Sequence, residues 1–305
     1  MRLPDFFNSS TDKRKGITEI LFAGGVIVLV FILFQFWGNR SNTGMEPRSL
    51  FLWIGSQWIA EGSDFSHGWL MPLISLGVVW WKRKDLAKAV TQPDYIGLLV
   101  LLSSIALHWA ALRAQQPRVS LVALVGILWS VPFFLYGRGV AKLLAFPAGY
   151  LLLCFTSYLL VAFTMPLRLM SCGIASGLLN GLGIHAIRHG TAIFTNIAGG
   201  FNFDVADPCS GLRSLVVMTA LAAPYAYFTQ KTLLKKWLLF AASIPLAVAA
   251  NSIRITSIAI AARLFGEKFA ISIYHDYSGF LVFAIATLMM VGVGNLLNKI
   301  RVGEK

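Results

Sequence analysis

Long charge-poor runs recur along the chain, separated by short polar stretches. They cover residues 17–37, 65–81, 96–112, 119–137, 143–167, 169–187, 214–230, 237–253 and 277–298. A helix needs roughly 17–25 predominantly apolar residues to cross the hydrocarbon core of a bilayer, so each run is a span by length. The first is too long for a secretory h-region and no small-residue cleavage site follows it, so a retained helix is expected there. The pattern changes over residues 188–207. Thr191, Ile193, Thr195 and Ile197 alternate with other residues, Gly199-Gly200 follows, and Phe201, Phe203 and Val205 alternate again. That periodicity predicts a short β-hairpin leading into Cys209.

Composition removes the soluble alternatives. Of the 305 residues, 57% are apolar and 13% charged, against roughly 25% charged in a soluble domain. A water-facing surface cannot be built from so few polar residues, which excludes a soluble enzyme and a disordered tail. The fold class expected is an all-α polytopic integral membrane protein, read as one transmembrane domain over residues 1–305. The formal net charge of +13 would suggest nucleic acid in a soluble protein. In a membrane protein it reflects basic cytoplasmic loops, so no nucleic-acid partner is expected and membrane lipid is.

The basic residues also orient the chain. With the N-terminus inside, Lys82, Arg83, Lys84 and Lys88 fall inside, as do Arg138 and Lys142, then Lys231, Lys235 and Lys236, and finally Lys299, Arg301 and Lys305. This requires that one of the nine runs not cross. Residues 169–187 are the best choice, because Gly173, Gly177, Asn180, Gly181, Gly183 and His185 make a poor lipid-exposed helix; the segment is expected at the outer interface. About eight crossings result, with both termini cytoplasmic, and Lys268 is then the one lysine outside.

This topology gathers polar residues at outer helix ends. Ser66 and His67 open the second span, Asp207, Cys209 and Ser210 the sixth, and Tyr274, His275 and Asp276 the eighth, while Asn251 and Arg254 close the seventh. Ionisable groups at membrane depth are costly and point to function. Asp207 suits an N-cap and Pro208 the first helical position. Cys209 would then lie in a first turn, where the helix dipole favours a thiolate. Gly211 and Arg213 follow it, with Arg213 one turn further on the same face. Cys154 and Cys172 lie in apolar runs and read as packing residues. An arginine at the end of a span, or one interfacial histidine, is weak by itself. A thiol, an imidazole and a guanidinium at one depth are the nucleophile, base and charge stabiliser of cysteine acyl transfer. No GxSxG, HExxH, P-loop or paired metal-ligand motif occurs, so neither a cofactor nor a metal is expected.

These residues resemble the motifs of the exosortase/archaeosortase family of membrane cysteine transpeptidases. Asp207-Pro208-Cys209-Ser210-Gly211-Leu212-Arg213 is similar to its Cys-Ser-Gly motif with a following arginine. Asn251-Ser252-Ile253-Arg254 is similar to its Asn-x-x-Arg motif, and His275-Asp276-Tyr277-Ser278-Gly279 to its His-x-x-x-Gly motif. Phe65-Ser66-His67-Gly68 resembles the N-terminal signature. The motifs fall in family order over about residues 60–285, and the histidine of the third resembles the bacterial branch. The resemblance implies a cysteine peptidase or transpeptidase of the cell inner membrane. Cys209 would be the nucleophile, with Arg254 and His275 as its partners, and Ser66, His67, Asp207, Ser210, Gly211, Arg213, Asn251 and Gly279 in support. Its partners would be secreted proteins with a C-terminal transmembrane sorting signal, of the kind called PEP-CTERM and associated with exopolysaccharide, cleaved at the outer face. The competing reading is a transporter or lipid-binding scaffold without covalent chemistry; such a protein tolerates Cys209→Ser, and a thiol enzyme does not.

Overall fold

The computed structural model describes residues 24–38, 48–60, 68–89, 92–154, 157–195, 202–204 and 212–300. Chain contacts divide it into two compact units, Met1–Phe155 and Thr156–Lys305. The first holds α1 (residues 24–37), α2 (Leu50–Ile59), α3 (Leu70–Trp81), α4 (Arg83–Lys88), α5 (Tyr95–Arg113) and α6 (Pro117–Leu152). The second holds α7 (Ser157–Gly181), strands β1 (Ala186–His189), β2 (Ala192–Thr195) and β3 (Asn202–Asp204), α8 (Leu212–Thr229), α9 (Leu233–Phe265), α10 (Glu267–Phe269), a π-helical turn (Ala270–Tyr274) and α11 (His275–Lys299).

Among the described residues, α5, α6, α9 and residues 277–299 of α11 are long and apolar enough to cross a membrane; α1, α2, α3 and the later part of α8 are apolar but shorter. Large apolar side chains face outward on α5 (Leu99, Leu102, Trp109) and α11 (Phe280, Leu288, Leu296), as lipid-facing helices require.

In the first unit α5 and α6 form an antiparallel pair. Asp94 caps α5 by accepting from the Ile96 amide, and its other carboxylate oxygen takes a 2.6 Å hydrogen bond from Arg138 Nε. The polar interval predicted after residue 137 is a single-residue break. Gly137 adopts φ +81° inside the α6 range, the helix resumes at Arg138, and a Cβ on Gly137 would collide with the Gln92 carbonyl. Phe34, Leu50, Trp53, Leu121 and Ile127 form the core of this unit. α2 is a helix that the hydropathy pattern did not predict. Ser49 caps it, and its 10 residues are too few to cross.

Three expectations change in the second unit. Residues 169–187 do not form a separate interfacial segment. Their helical part is the second half of α7, which runs unbroken through Pro166 and Arg168. Asn180 does not break the helix, because its side-chain amide pairs with both backbone groups of Ala186. Ser176 also donates to the Ala186 carbonyl, and Arg188 donates to the Leu169 carbonyl. The sheet is thereby tied to α7, which meets the polar groups that would be costly against lipid.

The predicted hairpin is a three-stranded antiparallel sheet in the order β1-β2-β3. Its tight turn is Gly190-Thr191, with His189 paired to Ala192 and Gly190 at φ +63°, the glycine-first arrangement of two-residue hairpins. Gly199-Gly200 lies outside the described residues.

Finally, Arg254 does not close a helix. α9 continues past it to Phe265 and ends at Gly266, which has φ +90°. A charge ends a hydropathy window, but arginine is a good helix former, and Ile255, Ile258, Ala259, Ala261 and Ala262 continue the buried face.

α9 organises this unit through two apolar clusters. Leu239, Leu246, Ala247 and Ala250 pack with Met218, Ala222 and Ala226 of α8 and with Val282, Ala286 and Met290 of α11. Beyond residue 254, Ile255 to Ala262 pack with Cys172, Ala175 and Leu179 of α7, with Ala186 and Ile193 of the sheet, and with Ala270. The polar stretch Asn251–Arg254 separates the clusters.

Candidate active site

The site is built at that polar stretch. α8 and α9 are antiparallel across a short turn, and Gln230 in that turn donates to the Gly294 carbonyl near the end of α11. One end of the three-helix group therefore holds the last turn of α8, the first of α9 and the last turns of α11. The other end holds the start of α8, the middle of α9 and the start of α11. Met218, Ala250 and Val282 share a cluster, so Arg254 and Ser278 each lie one turn beyond it and Leu212 between one and two turns beyond it.

Arg254 is half-buried. Its Nε donates to Ser278 Oγ at 3.2 Å, and Ser278 is buried at 2% exposure. Gly279 follows; a Cβ there would stand 3.8 Å from Arg254 Nη2. His275 is the first residue of α11 and directly follows the π-helical turn. Residues three apart lie on one helix face, so positions 275 and 278 both belong to the side of α11 that Arg254 meets. Turns with i→i+5 bonding are rare and concentrate at functional sites.

Asn251 is one turn before Arg254 on α9. It is 2% exposed, and its Nδ2 has no hydrogen-bond partner among the described residues. Its other polar neighbours are satisfied locally: Ser252 donates to the Val248 carbonyl, Thr256 to Ser252 and Ser257 to Arg254, each along α9 itself. They support the helix.

Cys209, Asp207, Ser210 and Gly211 lie outside the described residues, in the stretch between β3 and α8, and so do Ser66 and His67, between α2 and α3. The N-cap reading at Asp207 and Pro208 falls there too. Arg213 is the second residue of α8. The fold thus brings Asn251, Arg254, Ser278, Gly279, the start of α11 and the start of α8 to one end. Ser278 is the residue that sequence reasoning missed. Its signal was its place three positions after His275 in an otherwise apolar helix.

Cys154 and Cys172 are buried, with their thiols against the carbonyls of Gly68 and Thr191 at 3.8 and 3.6 Å. Among the described residues no three His, Cys, Asp or Glu side chains converge as metal ligands. The chemical asset is a half-buried guanidinium, that of Arg254, which presents donors in a planar fork.

A family model described as Transmembrane exosortase (Exosortase_EpsH) matches residues 58–292. No curated protein and no solved structure gives a match.

Proposed function

The chain belongs to the transmembrane exosortase family, and on that premise we propose that it is a membrane cysteine transpeptidase with Cys209, Arg254 and His275 as its catalytic residues. The family match runs through both compact units, which supports reading them as one transmembrane domain. The substrate is a secreted protein whose C-terminal tail carries a Pro-Glu-Pro-like motif, a transmembrane helix and a basic end. Its tail helix lies beside the enzyme in the inner membrane and presents the motif at the outer face. Holding the tail in the bilayer turns a two-body search into local positioning, which lowers the barrier by several kcal/mol.

His275 takes the proton of the Cys209 thiol, and the thiolate attacks the scissile carbonyl. Arg254 stabilises the oxyanion that forms. The amine of the released tail leaves with the proton held by His275, and a thioester to Cys209 remains. An amine or water then attacks the thioester and gives its proton to His275 as the Cys209 thiolate departs; that proton returns to the sulfur.

The observation that carries this reading is Arg254, half-buried in mid-helix and hydrogen-bonded to the first turn of the helix that His275 opens. Arg254→Lys tests it. Lysine keeps the charge but not the planar fork, so cleavage of a tailed substrate should fall by about 10²-fold or more at an unchanged membrane level. Wild-type cleavage in Arg254→Lys would sink the role given to the guanidinium. His275→Ala should slow cleavage by about 10²–10⁴-fold, the range for a general acid–base group.

A further inference from the structure

We propose that Ser278 is a positioning residue for Arg254, its buried hydroxyl fixing the guanidinium to the same turn of α11 that carries His275. The inference rests on the catalytic role proposed for Arg254 and goes beyond it, since the family motif leaves this position open. An arginine side chain has many rotamers and about 2 kcal/mol of rotamer entropy. Stabilising charge that develops only in a transition state requires donors held in place beforehand. Arg254 enters from the middle of α9, so its stem is fixed at one end. Its Nε donates to Ser278 Oγ at 3.2 Å, and Nε is one corner of a planar group. Holding that corner as well as the stem limits how the plane can turn.

Ser278 suits the task. At 2% exposure its hydroxyl has no bulk water competing for the guanidinium. It lies three residues after His275, so one helical turn sets the base and the charge stabiliser together. Gly279 adds no side chain beside Arg254 Nη2, where a Cβ would come to 3.8 Å. The i→i+5 turn over Ala270–Tyr274 immediately before His275 closes each hydrogen bond over one more residue than an α-helix does, which changes the rotation of the residues that follow it about the helix axis.

The test compares two nearly isosteric substitutions. Threonine keeps the hydroxyl and valine does not, while both carry the same branching into the helix. Purified full-length Ser278→Thr, Ser278→Val and Arg254→Ala proteins are assayed for cleavage of a tailed reporter, with kcat and KM measured separately and thermal unfolding followed in parallel. Ser278→Val is expected to lose between about 10- and 100-fold in kcat, the scale of a small misplacement of a catalytic group, with KM within about twofold. Ser278→Thr is expected to recover most of that loss at the same unfolding temperature as Ser278→Val. Equal kcat in the threonine and valine variants, with Arg254→Ala inactive, would overturn the positioning role and leave the proposed function standing. Full activity in Arg254→Ala would overturn the catalytic role of the guanidinium, and this inference with it.

Discussion

Asn251 is buried at 2% exposure with an amide nitrogen that no described residue meets. A buried polar group without a partner costs about 1–3 kcal/mol, whereas an apolar group of similar shape in its place is nearly neutral. Asn251→Leu is therefore expected to leave the unfolding temperature unchanged or raise it, while cleavage falls by at least about tenfold because a donor beside Arg254 is lost. A drop in both together would mean that Asn251 serves the fold alone. Cys154→Ala and Cys172→Ala should keep near-wild-type cleavage per folded molecule, since each thiol is buried against a backbone carbonyl; loss of cleavage in either at normal membrane levels would displace Cys209 as the nucleophile. At this scale the sequence was informative about residue type and silent about partners. Asn251, Arg254 and His275 stood out as polar residues in apolar runs. Ser278 did not, because a serine in a membrane helix commonly bonds its own backbone, and only the packing of α11 against α9 puts its oxygen next to Arg254.

Among the elements, α6 shows how one residue can replace a loop. Arg138 and Lys142 predicted a polar interval between two spans; the break is Gly137 alone, at φ +81° and against the Gln92 carbonyl. Gly137→Ala places a Cβ in both a disfavoured backbone region and a collision. It should destabilise the protein by about 1–3 kcal/mol, read as a lower unfolding temperature of the purified protein, and an unchanged temperature would contradict the strained turn. The long helices were legible from hydropathy, but the short α2 and the helix ends were not. Arg168 and Arg254 each ended an apolar window, although α7 and α9 pass straight through them, since hydropathy measures transfer into lipid rather than helix formation. The sheet was legible as alternation near residues 188–207. The antiparallel pair β2 and β3, in sequence on either side of Gly199-Gly200, is the hairpin that the alternation predicted; β1 and the further reversal at Gly190-Thr191 were not legible, because β1 is only four residues long and follows α7 directly.

For the whole molecule, the family match over residues 58–292 and the outward apolar faces agree with an integral membrane protein, the class that composition required. The bias of lysines in the sequence predicts both termini in the cytoplasm with about eight crossings. Reporter fusions at residue 305 and near Asp94 should both read cytoplasmic, and an outer signal at either would overturn that topology. At 1.5 Å per residue, the part of α9 from Leu233 to Arg254 is about 32 Å long, close to the roughly 30 Å of the hydrocarbon core. If the reporter fusions give that topology, α9 starts at the cytoplasmic side and its length predicts Arg254 near the outer boundary. The order of the motifs was legible in the chain; that α9 and α11 bring Arg254 and Ser278 together at the end where α8 starts was not, because it depends on contacts between residues far apart in sequence. The most direct test of the central claim is cleavage of a tailed secreted protein in cells that carry Cys209→Ala, with the variant's membrane level checked by blot. Loss of cleavage at a normal level is expected, because only a sulfur atom is removed, whereas cleavage at the wild-type rate would contradict the assignment of Cys209 as the nucleophile.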